Sequence, residues 1–154
     1  MNDRPVRIVL AKLGLDDHQR AMQVLSYAFR DAGMEVVYLG PYQTPEHVTS
    51  TAQVEDADAI GLSFHTVSYF GWIEETIQLL RDQGVWERIR VFVGGTIPPE
   101  DKAMLEDMGV AGVFFPGDSL KDMTDHIKAS VFAMRERLAA TKGSGATSSA
   151  AAER

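Results

Sequence analysis

Hydrophobic residues alternate along this chain between short unbroken runs and longer stretches with helical spacing. Val6 to Ala11, Ala59 to Phe64 and Arg90 to Val93 are dominated by β-branched and aliphatic residues, the pattern of strands covered on both faces. Glu35 to Leu39, ended by Gly40 and Pro41, and Gly112 to Phe115, followed by Pro116 and Gly117, read as two more strands. Helical patterns lie between them. Ala21, Leu25, Ala28, Phe29 and Ala32 form one apolar stripe over about Arg20 to Ala32, stopped by Gly33. Thr44 as N-cap, with Pro45 at the first helical position, opens a second helix that runs to about Glu55. The third spans about Tyr69 to Gln83 and buries Ile73, Ile77 and Leu80. A fourth opens after Pro98 and Pro99 with Met104, Leu105 and Met108 inward. The fifth starts near Ser119 and sets Leu120, Met123, Ile127, Val131, Met134 and Leu138 on one face.

Five strands alternating with five helices predict an α/β fold. Right-handed crossovers favour a flavodoxin-like, five-stranded parallel sheet of order 2-1-3-4-5 with helices on both faces. One domain is expected over residues 1–140. Residues 141–154 are mostly Gly, Ser, Ala and Thr, too poor in apolar area to offset ordering entropy, and read as a disordered tail. The strand order puts its switch point between strands 1 and 3. The loops after those strands, Asp16 to Arg20 and Ser63 to Ser68, then flank one crevice, with the Gly94-Gly95 turn beside them.

Composition narrows the possibilities. A length of 154 residues suits a single domain, and a formal charge of −7 argues against a nucleic-acid partner. The polar start is not a secretory leader, no apolar stretch is long enough to span a membrane, and a cytoplasmic protein is expected. There is no cysteine, which excludes disulfides, zinc–thiolate sites, iron–sulfur clusters and thiol nucleophiles.

The crevice residues carry the candidate chemistry. Asp16 and His18 stand on one side, and Ser63, His65 and Thr66 on the other. Imidazole is a common metal ligand whose second nitrogen usually donates to a carboxylate. On the residues alone, a ligating loop and a polar loop that merely caps a helix both remain open. Paired glycines after a strand mean a tight turn or a place where something large lies against backbone. A P-loop and the dinucleotide glycine fingerprint are absent, and strand 3 ends in Ser63-Phe64-His65 rather than a phosphoacceptor aspartate. His47 and His126 fall on helices away from the crevice and read as surface residues. Tyr69, Phe70 and Trp72 read equally as core or as a docking surface, and Trp86 as packing.

Lys12-Leu13-Gly14-Leu15-Asp16-Asp17-His18 resembles the Asp-x-His-x-x-Gly loop of cobalamin-binding domains. Ser63-Phe64-His65 sits where that family has Ser-x-Leu, and Gly94-Gly95 where it has Gly-Gly. The resemblance runs from about Val6 to Ile127. Within the family it is closest to the small subunit of coenzyme B12-dependent acyl-CoA mutases (methylmalonyl-, isobutyryl- or 2-hydroxyisobutyryl-CoA mutase).

The resemblance implies that His18 binds cobalt from the lower face of adenosylcobalamin, displacing the cofactor's dimethylbenzimidazole. Asp16 would accept from the other ring nitrogen of His18, with Lys12 behind it as a further charge. Ser63 would hydrogen-bond the displaced base, and Gly94 and Gly95 would let the nucleotide tail pass close to the backbone. No catalytic residue is expected on this chain. The acyl-CoA would sit in a barrel on a separate large subunit, giving a hetero-oligomer. A stand-alone cobalamin carrier or sensor, or a remnant that only contacts protein, are the other readings. Three positions depart from the motif. Ala21 replaces its Gly, His65 replaces its Leu, and Asp17 stands where Gly is frequent. Ala21 and His65 are both expected to border the slot for the nucleotide tail.

Overall fold

Strands buried on both faces need apolar side chains at every position, and helices must cover both sides. The computed structural model describes residues 4–152, with side chains described through residue 143. The strands are β1 (Arg7–Leu13), β2 (Glu35–Gln43), β3 (Ala59–Phe64), β4 (Arg90–Gly95) and β5 (Gly112–Phe114). They alternate with α1 (Arg20–Asp31), α2 (Pro45–Val54), α3 (Tyr69–Asp82), α4 (Lys102–Asp107) and α5 (Leu120–Ala152). Single 3₁₀ turns precede β4 (Trp86–Arg88) and α4 (Pro99–Asp101). The sheet is parallel and ordered β2-β1-β3-β4-β5, the predicted flavodoxin-like order.

Alternate residues of each strand serve opposite layers. Val9, Ala11, Leu13, Ile60, Leu62, Phe64, Val91 and Val93 pack with Val48 and Ala52 of α2, Ile73, Ile77 and Leu80 of α3, and Leu105 of α4. Ile8, Leu10, Ala59 and Phe92 face the other way, onto Met22 and Phe29 of α1 and Met123, Ile127, Val131 and Met134 of α5. At the amino edge of the sheet, buried Asp58 accepts from the Arg7 backbone N–H (2.9 Å) and from the guanidinium groups of Arg4 (2.7 Å) and Arg135 (2.8 Å). Arg135 also donates to the carbonyls of Arg4 (2.7 Å) and Pro5 (3.2 Å). The start of the chain, β3 and α5 are thereby tied together.

The structure differs from the sequence reading at several boundaries. β2 does not end at Gly40 and Pro41 but runs to Gln43. Because β2 is an edge strand, the missing proline N–H costs it no ladder bond. The pairing with β1 shifts register twice, and Gly40 and Tyr42 there adopt positive φ (81° and 62°). β4 includes Gly94 and Gly95 rather than stopping before them, pairing them with Ser63 and Phe64. The stripe of α1 is centred on Met22, Ser26 and Phe29, and Ala21 is exposed. Met22 takes the buried place in the first turn of the helix, packed with Ile8 and Leu10, and Leu25 and Ala28 flank the stripe half-buried. Met104 points outward, because α4 is only 6 residues long and leads in from a 3₁₀ turn. Leu120 is also exposed. The backbone carries α5 on to Ala152, where composition alone gives a disordered tail from residue 141. A helix already nucleated adds residues at little cost.

Gly95 is fixed by its own surroundings. It has φ 116°, and a Cβ there would lie 1.9 Å from the Phe64 carbonyl oxygen. Gly33 has φ 87° with nothing within 4 Å of the same position. Gly95→Ala is therefore expected to cost more than about 3 kcal/mol, against about 1–2 kcal/mol for Gly33→Ala, which bears only the left-handed backbone penalty. Urea unfolding of the two variants measures the difference, and equal losses would show that β4 can shift away from Phe64.

Candidate functional site

The loop after β1 and the end of β3 meet at the carboxyl edge of the sheet, and a buried ion pair joins them. Lys12, on the same side of β1 as Ile8 and Leu10, is 0% exposed, and Asp16 is 4% exposed. Lys12 Nζ lies 3.1 Å from Asp16 Oδ2. The ammonium also donates to the Ser63 carbonyl (3.2 Å) and to Ser63 Oγ (3.4 Å), and lies 3.4 Å from His65 Nδ1.

Asp16 uses both carboxylate oxygens. Oδ2 accepts from the His65 backbone N–H (2.9 Å), and Oδ1 accepts from the His18 backbone N–H (3.2 Å). Oδ1 also lies 2.9 Å from His18 Nδ1. Burial pushes the Asp16 carboxyl up, but the hydrogen bonds from the His18 ring, the two backbone N–H groups and Lys12 outweigh it. They hold the carboxyl well below its ordinary range. An ionised carboxylate only accepts, so His18 Nδ1 carries the proton and its Nε2 keeps the lone pair. The His18 side chain is 66% exposed. Asp16, Asp17 and His18 form a group whose ligand atoms lie within 4.8 Å of one another, but Nδ1 is engaged and Nε2 is the free donor.

His65 lies beside His18. The two rings stack with centroids 5.0 Å apart and 17° between their planes. Burial lowers the His65 pKa first, and the neighbouring Lys12 ammonium lowers it further. A neutral ring accepting from Lys12 at Nδ1 carries its proton at Nε2.

Behind these residues a cavity of about 290 Å³ opens between the sheet and helices α1 and α5. Ser63, His65, Gly94, Gly95 and Ala21 all line it, so the structure brings the predicted residues of the three loops to one slot. Leu10, Phe92, Met123 and Ile127 supply apolar walls. Gly61 also lines the slot and was not singled out in the sequence. A Cβ there would come 2.7 Å from Leu10 Cδ2, so the glycine lets Leu10 lie close against β3 beside the slot. The signal was a lone glycine inside an apolar strand. For Trp72 the sequence admits both core and docking surface. The residue is half-buried, and its ring backs Gly14, 3.1 Å from where a Cβ would sit. Tyr69 is buried and Phe70 partly exposed. His47 is exposed, while His126, also exposed, approaches the Ala111 carbonyl (2.9 Å) and the edges of Phe92 and Phe114.

The donor set suits a metal-bearing group with an apolar part: one imidazole lone pair faces outward, and a mostly apolar slot lies beside it. No helix of the described residues is long and apolar enough to cross a membrane.

Residues 6–122 match the profile of the B12 binding domain family. The chain is 37% identical over 137 residues to the 2-hydroxyisobutanoyl-CoA mutase small subunit of Aquincola tertiaricarbonis, covering 89% of this chain and 100% of that one. It is 35% identical over 126 residues to the pivalyl-CoA mutase small subunit of Xanthobacter autotrophicus, covering 82% and 84%. A cobalamin-binding protein from Desulfitobacterium hafniense shares the fold, with a TM-score of 0.71 at 19% identity over 82% of this chain and 60% of that chain.

The Asp16 arrangement makes folding sensitive to acid. Above the unfolded aspartate pKa of about 3.9 both states are ionised and the full stabilisation is present. As pH falls below it the unfolded chain takes the proton first, and stability drops until pH passes the lower folded value. Between pH 5 and 3, wild type is expected to lose more stability than Asp16→Asn, which has no proton to take up. The variant itself is expected to be about 3 kcal/mol less stable at pH 7, because Lys12 is left buried without its counter-charge. Urea midpoints across that range check both, and parallel slopes would place the acid sensitivity elsewhere.

Proposed function

This chain belongs to the B12-binding domain family, and we propose that it is the adenosylcobalamin-binding small subunit of a two-chain acyl-CoA mutase. The similarity to two mutase small subunits, one matched over its full length, supports this reading. The single observation that carries the site is the exposed His18 ring, held through Nδ1 by a buried, doubly anchored Asp16.

His18 Nε2 would hold the cofactor's cobalt. Asp16 fixes the tautomer and orientation of the ring, and Lys12 holds Asp16 ionised in a buried place. Ser63 offers its hydroxyl to the displaced benzimidazole at the slot wall. Gly94 lets the nucleotide tail pass close to the backbone, Gly61 lets Leu10 lie back against β3 at the slot wall, and Gly95 keeps the turn beside it close. Ala21 and His65 border the entrance. When bound, the cofactor supplies homolysis of its cobalt–carbon bond, which starts a radical carbon-skeleton rearrangement. The residues of this chain bind and orient it, and the acyl-CoA sits on a large-subunit partner. The domain that does this spans residues 1–140.

Ligation is tested directly. With the histidines labelled with nitrogen-15, the full chain loaded with cob(II)alamin is expected to show axial nitrogen coupling characteristic of the label. His18→Ala should abolish it. Coupling that ignores the label would mean that the benzimidazole is still bound, and the His18 assignment would be lost.

The division of labour is a separate expectation. The purified chain with adenosylcobalamin should isomerise no acyl-CoA, and activity should appear only with a mutase large subunit added. Turnover by the homogeneous chain alone would refute the two-chain reading, and cofactor binding without activity beside any large subunit would favour a carrier.

A further inference from the structure

Of the three departures from the family motif, the histidine at position 65 is the one the structure gives a specific set of partners. A leucine could keep its backbone N–H bond to Asp16 but neither of its ring contacts. Those are the stack on His18 and the approach of Nδ1 to Lys12 Nζ.

His18 needs such a neighbour. Its ring is two-thirds exposed and is held at one edge, by Asp16. A hydrogen bond at one ring nitrogen fixes that atom but leaves the plane free to swing about the Nδ1···Oδ1 line. A second ring lying parallel to the first removes that freedom, since tilting would break the stack. Lys12 holds His65 in turn: the same ammonium that neutralises Asp16 occupies the Nδ1 lone pair of His65. Two imidazoles therefore stand side by side with different roles. His18 presents a lone pair outward, whereas His65, its Nδ1 occupied and its Nε2 protonated, has none to offer a metal.

We propose that His65 is a positioning residue that clamps the plane of His18, so that a corrinoid meets a single pre-oriented ligand. The proposal rests on His18 as the cobalt ligand.

The test compares the full-length chain with His65→Leu and His65→Phe. Phe keeps a flat ring but offers no nitrogen, and Leu keeps only apolar volume. In the cofactor-free chain, carbon-13 relaxation of the His18 ring should report a rigid imidazole in wild type and in His65→Phe and a faster-moving one in His65→Leu, while Nδ1 stays protonated by its bond to Asp16 in all three. Hydroxocobalamin binding, followed by its absorbance change, should weaken about two- to tenfold in His65→Leu, the range of an aromatic pair, and stay within about twofold of wild type in His65→Phe. Cob(II)alamin should show one sharp nitrogen coupling in wild type and His65→Phe, and a broadened one in His65→Leu. Thermal unfolding midpoints check that all three fold. Identical behaviour of His65→Leu and wild type overturns the proposal, as does a folded His65→Phe that behaves like His65→Leu. Loss of protein nitrogen coupling in His65→Phe would make His65 itself the ligand and overturn it too. Failure of the ligand reading looks different: label-independent coupling in wild type, with the cofactor-free comparison of His18 ring motion still deciding whether His65 clamps His18.

Discussion

A lysine ammonium leaves water only where something replaces its hydration shell, and Lys12 finds its replacements on three sides. Asp16 supplies the counter-charge, the Ser63 carbonyl and hydroxyl supply lone pairs, and the His65 ring supplies another. Because these groups come from the loop after β1 and from the end of β3, solvating one charge fixes the two elements relative to each other. Uncovering Lys12 would free Asp16, and with it both the tautomer and the aim of His18. The exposed chemistry of the site thus depends on a charge that no solvent reaches.

The slot beside that cluster is made by leaving side chains out. Gly61, Ser63 and Gly94 point to the same side of the sheet, by the alternation that sends Leu10 and Phe92 there, and two of the three carry no Cβ. Gly95, one residue on, has a different reason for its identity: it clears the Phe64 carbonyl and would be required with or without a ligand. A pair that reads as one motif therefore divides into a position that makes room and a position that makes a turn.

Strand order and the crevice were legible because the three apolar runs and the glycine and proline stops are local signals. The loop residues followed from the order, since parallel strands bring their carboxyl ends to one edge. Several details were not legible because they depend on neighbours distant in sequence. Pro41 can lie within β2 because β2 is an edge strand, which only the assembled sheet shows. The phase of α1 depends on which residue of its first turn the layer receives: Met22 packs there among Ile8, Leu10 and the residues of α5, and Ala21 is left at the cavity. The apolar run ends strand 1 at Ala11 and leaves Lys12 just beyond it, as a further charge behind Asp16; β1 in fact runs on to Leu13, and the partners that bury Lys12 lie at the end of β3. The partnership of His18 with His65 spans 47 positions, and no spacing rule announces it.

The slot has walls of different construction. One is the sheet, cross-braced by four ladders. The other includes α5, moored at Arg135 by Asp58 and the carbonyls of Arg4 and Pro5, at the end of the sheet away from the opening. From Arg135 back to Leu120 the helix rises roughly 22 Å at about 1.5 Å per residue. Along that length it is tied again, by Lys128 on the Ala32 carbonyl and His126 against the Ala111 carbonyl, with Met123 and Ile127 sunk into the core. One wall of the slot is thus fastened to the start of the chain, to the end of α1 and to the approach to β5 at once, so that a change at any of these distant places is felt in the width of the opening.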